Sequence, residues 1–290
     1  MLEAVPNVSE GRDAAAVAAI ATAFAEHASL LDVHSDPDHH RSVYTLAGEA
    51  GSVVAALLAG MRKALELVDL RLHEGVHPRV GTIDVVPLVP LAGATMAEAR
   101  AAALEVARRA GEELSLPVFL YGEVGDGRRP AFFRRGGLAE LERRVRQGEL
   151  RPDHGPERID PRHGAVLVGA RPPLVAYNLE LEPPDLGVAR AVAAAVRESS
   201  GGLPGVQAIG LYLPRARRAQ VSTNVLDLER TPVHELVRRV REEAAARGAT
   251  VVGGELVGLV PERVLAEARA AGVDLPGIDA SRTLERALGI

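Results

Sequence analysis

The chain has 290 residues, of which 47% are hydrophobic and 25% charged, with a formal net charge of −5 and no cysteine. That length accommodates one large or two modest domains around a sizeable core, and the charge offers nucleic acid no basic field. Without cysteine there are no disulfides, thiolate nucleophiles or thiolate-bound zinc. With no signal-peptide pattern and no bilayer-length apolar run, a cytoplasmic protein without a membrane partner is expected.

The apolar run Leu2–Pro6 reads as a short strand, and Val17, Ile20, Ala21 and Phe24 share one face of a helix over about Asp13–Glu26. Strands are expected at Ser29–His34 and Ser42–Ala47, joined by the polar loop Ser35–His40. A second helix, about Ser52–Val68, carries the stripe Val54, Leu57, Leu58, Met61, Leu65 and Val68. Ile83–Val89 is rich in β-branched residues and reads as a strand, and its Pro87 argues for an edge position or a bulge. Thr95 and Glu98 have capping-box spacing, so a helix should run from Met96 to about Leu114, followed by a strand at Pro117–Tyr121. The Gly-, Pro- and Arg-rich stretch Gly122–His163 is expected to hold at most one helix, about Leu138–Arg146, the rest being connections or ligand-binding loops.

The second half repeats the early order. Strands are expected at Leu174–Leu181, Val206–Leu213, Arg218–Leu226 and Thr250–Leu256. Helices are expected at Asp185–Glu198, after Thr231 as N-cap with Pro232 in the first turn, and at Pro261–Ala271. Each half thus reads strand, helix, strand, strand, helix, strand. That order suits an α+β fold of split βαβ sheets with helices on one face, duplicated within the chain, with a ligand cleft between the two halves.

The segment Leu72–Pro90, LHEGVHPRVGTIDVVPLVP, holds the main functional signal. His73-Glu74-Gly75-Val76-His77 spells the zinc-protease pattern, but that chemistry needs a helix to aim both imidazoles at one metal. Gly75 inside the match and Pro78 directly after it oppose a helix. As a loop, the segment places His77 between glycine and proline punctuation, bracketed by Arg79 and Asp84. The residues alone leave two readings open: a general base tuned by its neighbours, or a histidine hydrogen-bonded in a turn.

The same segment closely resembles the H-x-G-x-HPR-x-G-x-x-D-V-x-P-x-x-P signature of glutamate formimidoyltransferases. Further motifs follow in family order: AVPNVSEGR at Ala4–Arg12, LLDVHSDPDHHRSVYTLAG at Leu30–Gly48, LPVFLYGE at Leu116–Glu123, the PDHGP…HGA…VGAR run at Pro152–Arg171, AQVSTNVLD at Ala219–Asp227 and LVGLVP at Leu256–Pro261. Two positions depart from the family: His40, where asparagine is common before the arginine, and His154, where an aromatic is common. The resemblance implies transfer of the formimino group from N-formimino-L-glutamate to N5 of tetrahydrofolate, a homodimer, and two βαββαβ (ferredoxin-like) subdomains, residues 1–172 and 173–290, with folate in the cleft between them. The chain stops where some relatives carry a fused cyclodeaminase, so a monofunctional form is expected.

By the same resemblance His77 is the catalytic residue. Folate contacts fall on the run Gly155, Pro156, Glu157, Arg158, Ile159, Asp160, Pro161, Arg162, His163 and Gly164. The protonated formimino group needs a carboxylate, for which Asp36 and Asp84 are candidates. The substrate carboxylates need arginines, for which Arg41 and Arg79 are candidates. His34 and Asn224 are further substrate-binding candidates within the motifs. His34, His39 and His40 cluster with Asp36 and Asp38, but Pro37 interrupts them, so tetrahydrofolate is expected as co-substrate and no metal. Formyl transfer between 5-formyltetrahydrofolate and glutamate, and folate binding without catalysis, stay open as alternatives.

Overall fold

A computed structural model of the chain describes residues 1–91 and 93–290. They divide into two compact units, Met1–Pro172 and Pro173–Ile290. In chain order the first holds β1 (Leu2–Ala4), β2 (Asn7–Val8), α1 (Ala14–Ala25), β3 (Ser29–Asp36), β4 (Arg41–Gly48), α2 (Ala50–Leu67), β5 (Ile83–Pro90), α3 (Met96–Glu113), β6 (Val118–Gly122), α4 (Pro130–Arg134), α5 (Gly137–Arg146) and β7 (Val166–Ala170). The second holds β8 (Val175–Glu182), α6 (Leu186–Val196), β9 (Val206–Leu213), β10 (Arg218–Val225), α7 (Val233–Ala245), β11 (Thr250–Val257), α8 (Glu262–Ala270) and α9 (Leu284–Leu288).

In the first unit β3 forms one edge of a seven-stranded sheet. β4 pairs with it and with both β1 and β2, which pair in turn with β5; β7 and β6 follow. The β5–β7 and β7–β6 pairings are parallel and the others antiparallel. Residues of α1, α2 and α3, among them Phe24, Leu57, Met61 and Val106, pack with Tyr44, Leu46, Val86 and Val168 on one sheet face. Each such fully buried large side chain contributes about 1.5–3 kcal/mol. On the other face Val85, Phe119, Tyr121 and Leu167 pack with Phe133 of α4 and Leu141 of α5. The parallel strands are therefore covered on both sides, as parallel sheets require.

Helix starts follow their side chains. The Asp13 carboxylate accepts from the amides of Ala15 and Ala16, and Thr95 and Glu98 form the expected capping box. Thr231 does not cap its helix: Pro232 occupies the cap position, and the Thr231 hydroxyl donates to the Pro204 carbonyl at 2.7 Å.

Two expectations for the first unit need correcting, and one strand falls outside them. Pro87 is not on an edge strand, since β5 has partners on both sides. Its carbonyl accepts from the Val5 amide at 3.2 Å, so its missing N–H faces the same side, at the break between β1 and β2 where the ladder is already interrupted. A bulge does occur in β5, but at Asp84: Asn7 is opposite Val85 and Val8 opposite Ile83. The stretch 122–163 holds two helices, α4 and α5, because Pro130 fits the first turn of a helix that needs no donor there. The short apolar run Val166–Ala170, which alternates between the two cores, is a full sheet strand.

The second unit is a four-stranded antiparallel sheet in the order β11-β8-β10-β9. Val192, Leu236 and Val240 of α6 and α7 pack with Tyr177, Leu179 and Val221 on one of its faces.

Candidate active site

Residues 73–77 are not helical; they lie in the connection between a short helical turn at Leu70–Leu72 and β5. The connection is tied to the turn between β3 and β4. The Val76 amide donates to the Asp38 carbonyl at 3.0 Å, and Arg79 donates to the carbonyls of His40 (2.9 Å) and His39 (2.5 Å). Gly75 makes this approach possible, because a Cβ there would stand 2.3 Å from the His39 oxygen.

The two histidines of the apparent zinc motif go to different partners. His77 meets Arg41, the first residue of β4, whose Nη1 lies 2.5 Å from His77 Nδ1. Arg41 is held on two further sides: Nε donates to the Asn7 side-chain oxygen at 2.8 Å and Nη2 to Asp84 Oδ2 at 2.9 Å. Arg134 of α4 donates to the same Asp84 oxygen at 2.5 Å, and the Val80 amide donates to Oδ1 at 2.9 Å. The bulge explains this meeting. Ile83 and Val86 both enter the three-helix core, so the extra residue turns Asp84 to the opposite face, a common use of bulges.

Asp84 is 1% exposed. Burial alone would raise its pKa, but the guanidiniums of Arg134 and Arg41 outweigh it and hold the carboxyl below the usual range. Burial pushes Arg41 down to about 9, with Asp84 opposing, and it stays charged at neutral pH. Burial, reinforced by the positive charges of Arg41 and Arg134, lowers the His77 pKa well below its ordinary value. His77 is thus a neutral imidazole at neutral pH. Its Nδ1 lies between a donor, Arg41, and an acceptor, the Pro78 carbonyl at 2.7 Å. A proton on Nδ1 satisfies Pro78 and leaves Nε2 bare as a base, whereas a bare Nδ1 accepts from Arg41 and leaves Nε2 protonated as an acid.

His73 lies beside Glu10 and His40. Its Nε2 is 3.1 Å from Glu10 Oε2, and its ring stacks on that of His40 with centroids 4.2 Å apart. His40 Nε2 is 3.1 Å from Glu10 Oε1, which also accepts from the amides of Arg12 and Asp13. Burial lowers the pKa of both histidines. Burial acts upward on Glu10, but those two amides and the neighbouring histidines bring it below the usual carboxylate value.

The other sequence candidates are placed as follows. Asp36 accepts from the His39 amide at 2.6 Å within the β3–β4 turn, and His34 lies on β3 opposite Val43. The run Gly155–Gly164 is largely exposed at Pro156, Glu157, Arg158, Asp160, Pro161 and Arg162, with Ile159 buried as its anchor. It ends against the His77 connection, where Thr82 donates to the His163 carbonyl and Ala165 to the Val80 carbonyl. Gly164 has φ +70°, and a Cβ there would stand 2.2 Å from the Val80 oxygen, so glycine is required. Asn224 lies on β10 of the second unit, between Ala176 and Gln207.

Four residues of the site escaped the sequence reading in these roles: Arg134, Asn7, Glu10 and His73. Asn7 and Glu10 sit inside the opening motif, but a motif does not say which of its polar side chains turn inward. Pro130 could have indicated α4; nothing local joins Arg134 to an aspartate 50 positions earlier.

Two family models match in succession. Residues 1–171 match the N-terminal subdomain of the formiminotransferase domain, and residues 176–272 match the formiminotransferase domain. The chain is 36% identical to the glutamate formimidoyltransferase of Thermoplasma acidophilum, over 99% of this chain and 96% of that protein. It is 35% identical to the glutamate formimidoyltransferase of Streptococcus pyogenes, covering 91% and 90%. It is also 41% identical to the formimidoyltransferase-cyclodeaminase of Sus scrofa, covering 93% of this chain and 52% of that protein.

Proposed function

The chain belongs to the formiminotransferase family, and from that premise we propose that it transfers the formimino group of N-formimino-L-glutamate to N5 of tetrahydrofolate, in histidine degradation. The observation that carries this reading is the contact of Arg41 with His77, backed by Asp84 and Arg134. It supplies a neutral imidazole beside a fixed positive charge.

N5 attacks the formimino carbon to give a tetrahedral intermediate, and the N5 proton passes to His77 Nε2. The imidazolium so formed keeps Nδ1–H on the Pro78 carbonyl and is repelled by Arg41, so it readily gives a proton to the departing glutamate nitrogen as the old C–N bond breaks. Asp84 is engaged by two guanidiniums and an amide, so Asp36 is the better partner for the protonated formimino group. Arg41 and Arg79 spend donors on Asp84, Asn7 and the turn carbonyls; we assign them to positioning. The run Gly155–Gly164 takes folate, supported by its exposed charges and its attachment to the His77 connection.

Residues 1–172 and 173–290 are assigned as the N- and C-terminal subdomains, both ferredoxin-like; the strand order β11-β8-β10-β9 supports this for the second. We place the enzyme in the cytoplasm as a homodimer. Among the described residues no helix is long and apolar enough to cross a membrane.

The test is an assay of tetrahydrofolate with formiminoglutamate, following 5-formiminotetrahydrofolate, with formylglutamate in parallel. Formimino product is expected, with the formyl donor slower. Turnover with neither donor sinks the reading, and preference for formylglutamate replaces it with formyl transfer.

The acid limb of kcat/KM should fall below pH 6.5, the ordinary histidine value, because His77 is active when neutral and its pKa is depressed. Arg134→Gln removes one of the depressing charges, so its limb should move upward toward 6.5. Comparing the two profiles cancels titration of the substrates, and an unmoved limb counts against His77 as the base.

A further inference from the structure

We propose that Glu10, His40 and His73 form a binding site for a zinc-class divalent cation, a clip between the His77 connection and the rest of the first unit. The three residues come from separate segments: the connection from β2 to α1, the β3–β4 turn, and the start of the segment that carries His77. Their ligand atoms all lie within 4.8 Å of one another. Two imidazoles and a carboxylate are a donor set that zinc accepts, with a fourth position for water.

Proton bookkeeping at His40 points the same way. Both of its ring nitrogens face acceptors: Nδ1 the Glu74 carbonyl at 3.1 Å, and Nε2 the Glu10 carboxylate at 3.1 Å. A neutral imidazole has one N–H and satisfies one of them. An imidazolium would satisfy both, but its side chain is 6% exposed and stacks on a second imidazole. With a cation at Nε2, the Nδ1 proton donates to the Glu74 carbonyl, the backbone contact that metal-bound histidines commonly make.

His73 is likewise short of partners. Its side chain is 10% exposed. Among the described residues neither ring nitrogen has a hydrogen-bond partner, although Nε2 is 3.1 Å from Glu10 Oε2. A buried imidazole left without a partner is costly in water-free surroundings, and a cation shared with Glu10 removes that cost. Glu10 can offer Oε2, because Oε1 already takes the amides of Arg12 and Asp13. The two rings are nearly parallel, so converging on one ion requires each to turn about its broad Cβ–Cγ torsion.

The apparent zinc motif therefore names one correct ligand and one wrong one. His77 is engaged by Arg41, and His73 finds its fellow ligands 63 and 33 positions earlier. The proposal does not depend on the transfer chemistry.

The test uses the full chain, stripped by chelator and titrated with zinc chloride by calorimetry. One equivalent should bind, and the melting temperature should rise with free zinc, since binding favours the folded state. His40→Asn and His73→Asn should each weaken binding by about 10–100-fold or more, the loss that even an outer-shell partner causes. His27→Asn, in the exposed turn after α1, should leave binding unchanged. Zinc-edge absorption on the unmutated protein should show two imidazole nitrogens and carboxylate oxygen, which keeps the test decisive if a variant misfolds. Absence of stoichiometric binding, binding undiminished in both variants, or a shell without two imidazoles overturns the proposal.

Discussion

Replacing His77 with alanine is expected to lower kcat by about 10²–10⁴-fold, the usual contribution of a positioned acid or base, with the KM for tetrahydrofolate largely kept. The separation follows from how the segment is held. The segment is fastened by the Val76 amide to Asp38, by the Arg79 guanidinium to His39 and His40, and by Ser9 to the carbonyls of Gly81 and Thr82, none of which uses the imidazole. The run Gly155–Gly164, proposed to take folate, meets the segment through the bond from the Thr82 amide to the His163 carbonyl, and Ala165 directly after it bonds the Val80 carbonyl. Steady-state kinetics with both substrates will separate the two parameters, and the acid limb attributed to His77 should vanish from the profile. A variant that retained near-native kcat would falsify the assignment; one that lost only folate affinity would move His77 to a binding role.

Asp84→Ala should be the most destabilising single change in the site, at about 3–5 kcal/mol. Asp84 is 1% exposed and compensates Arg41, 10% exposed, and Arg134, 16% exposed. Removing it leaves two guanidiniums facing each other without a counter-charge, and the Val80 amide without its acceptor. Asp84→Asn keeps the shape and one acceptor and should cost less. The second change in an Asp84→Ala, Arg134→Ala pair should cost less than Arg134→Ala alone, because one uncompensated charge is gone. Urea unfolding monitored by circular dichroism measures these differences. Activity should fall as well, since Arg41 loses the anchor that sets it against His77. Wild-type stability in Asp84→Ala would refute the account of this network.

The correspondence between sequence and structure is closest where the signal is local. The stripe Val54, Leu57, Leu58, Met61 predicts α2, and the Thr95–Glu98 spacing predicts the start of α3, because helix periodicity and capping act over three or four residues. The loop reading of residues 73–77 holds for the same reason: Gly75 and Pro78 act on the backbone beside them. The misplacements are equally instructive. Pro87 argues for an edge or a bulge, yet it sits inside the sheet, three residues from the bulge at Asp84, because a break in a distant partner strand faces it. Val166–Ala170 is only five residues long and shows no one-sided alternation, because both of its faces are buried. Arg134 could not be reached, since its place depends on Phe133 and on Arg144, which donates to the Phe132 carbonyl and fixes α4.

The sequence by itself determined which residue types are available for chemistry, the two-part α+β character, and a histidine held between glycine and proline. These follow from composition, short-range periodicity and backbone sterics. Tertiary structure decided the pairings. A one-residue bulge aims Asp84 at Arg41 and Arg134, and the β3–β4 turn brings Arg41 to His77 and His40 to His73. Such contacts span 30 to 50 positions and depend on strand register, in which a slip of one residue turns a side chain to the other face. Neighbouring residues alone carry no record of that register.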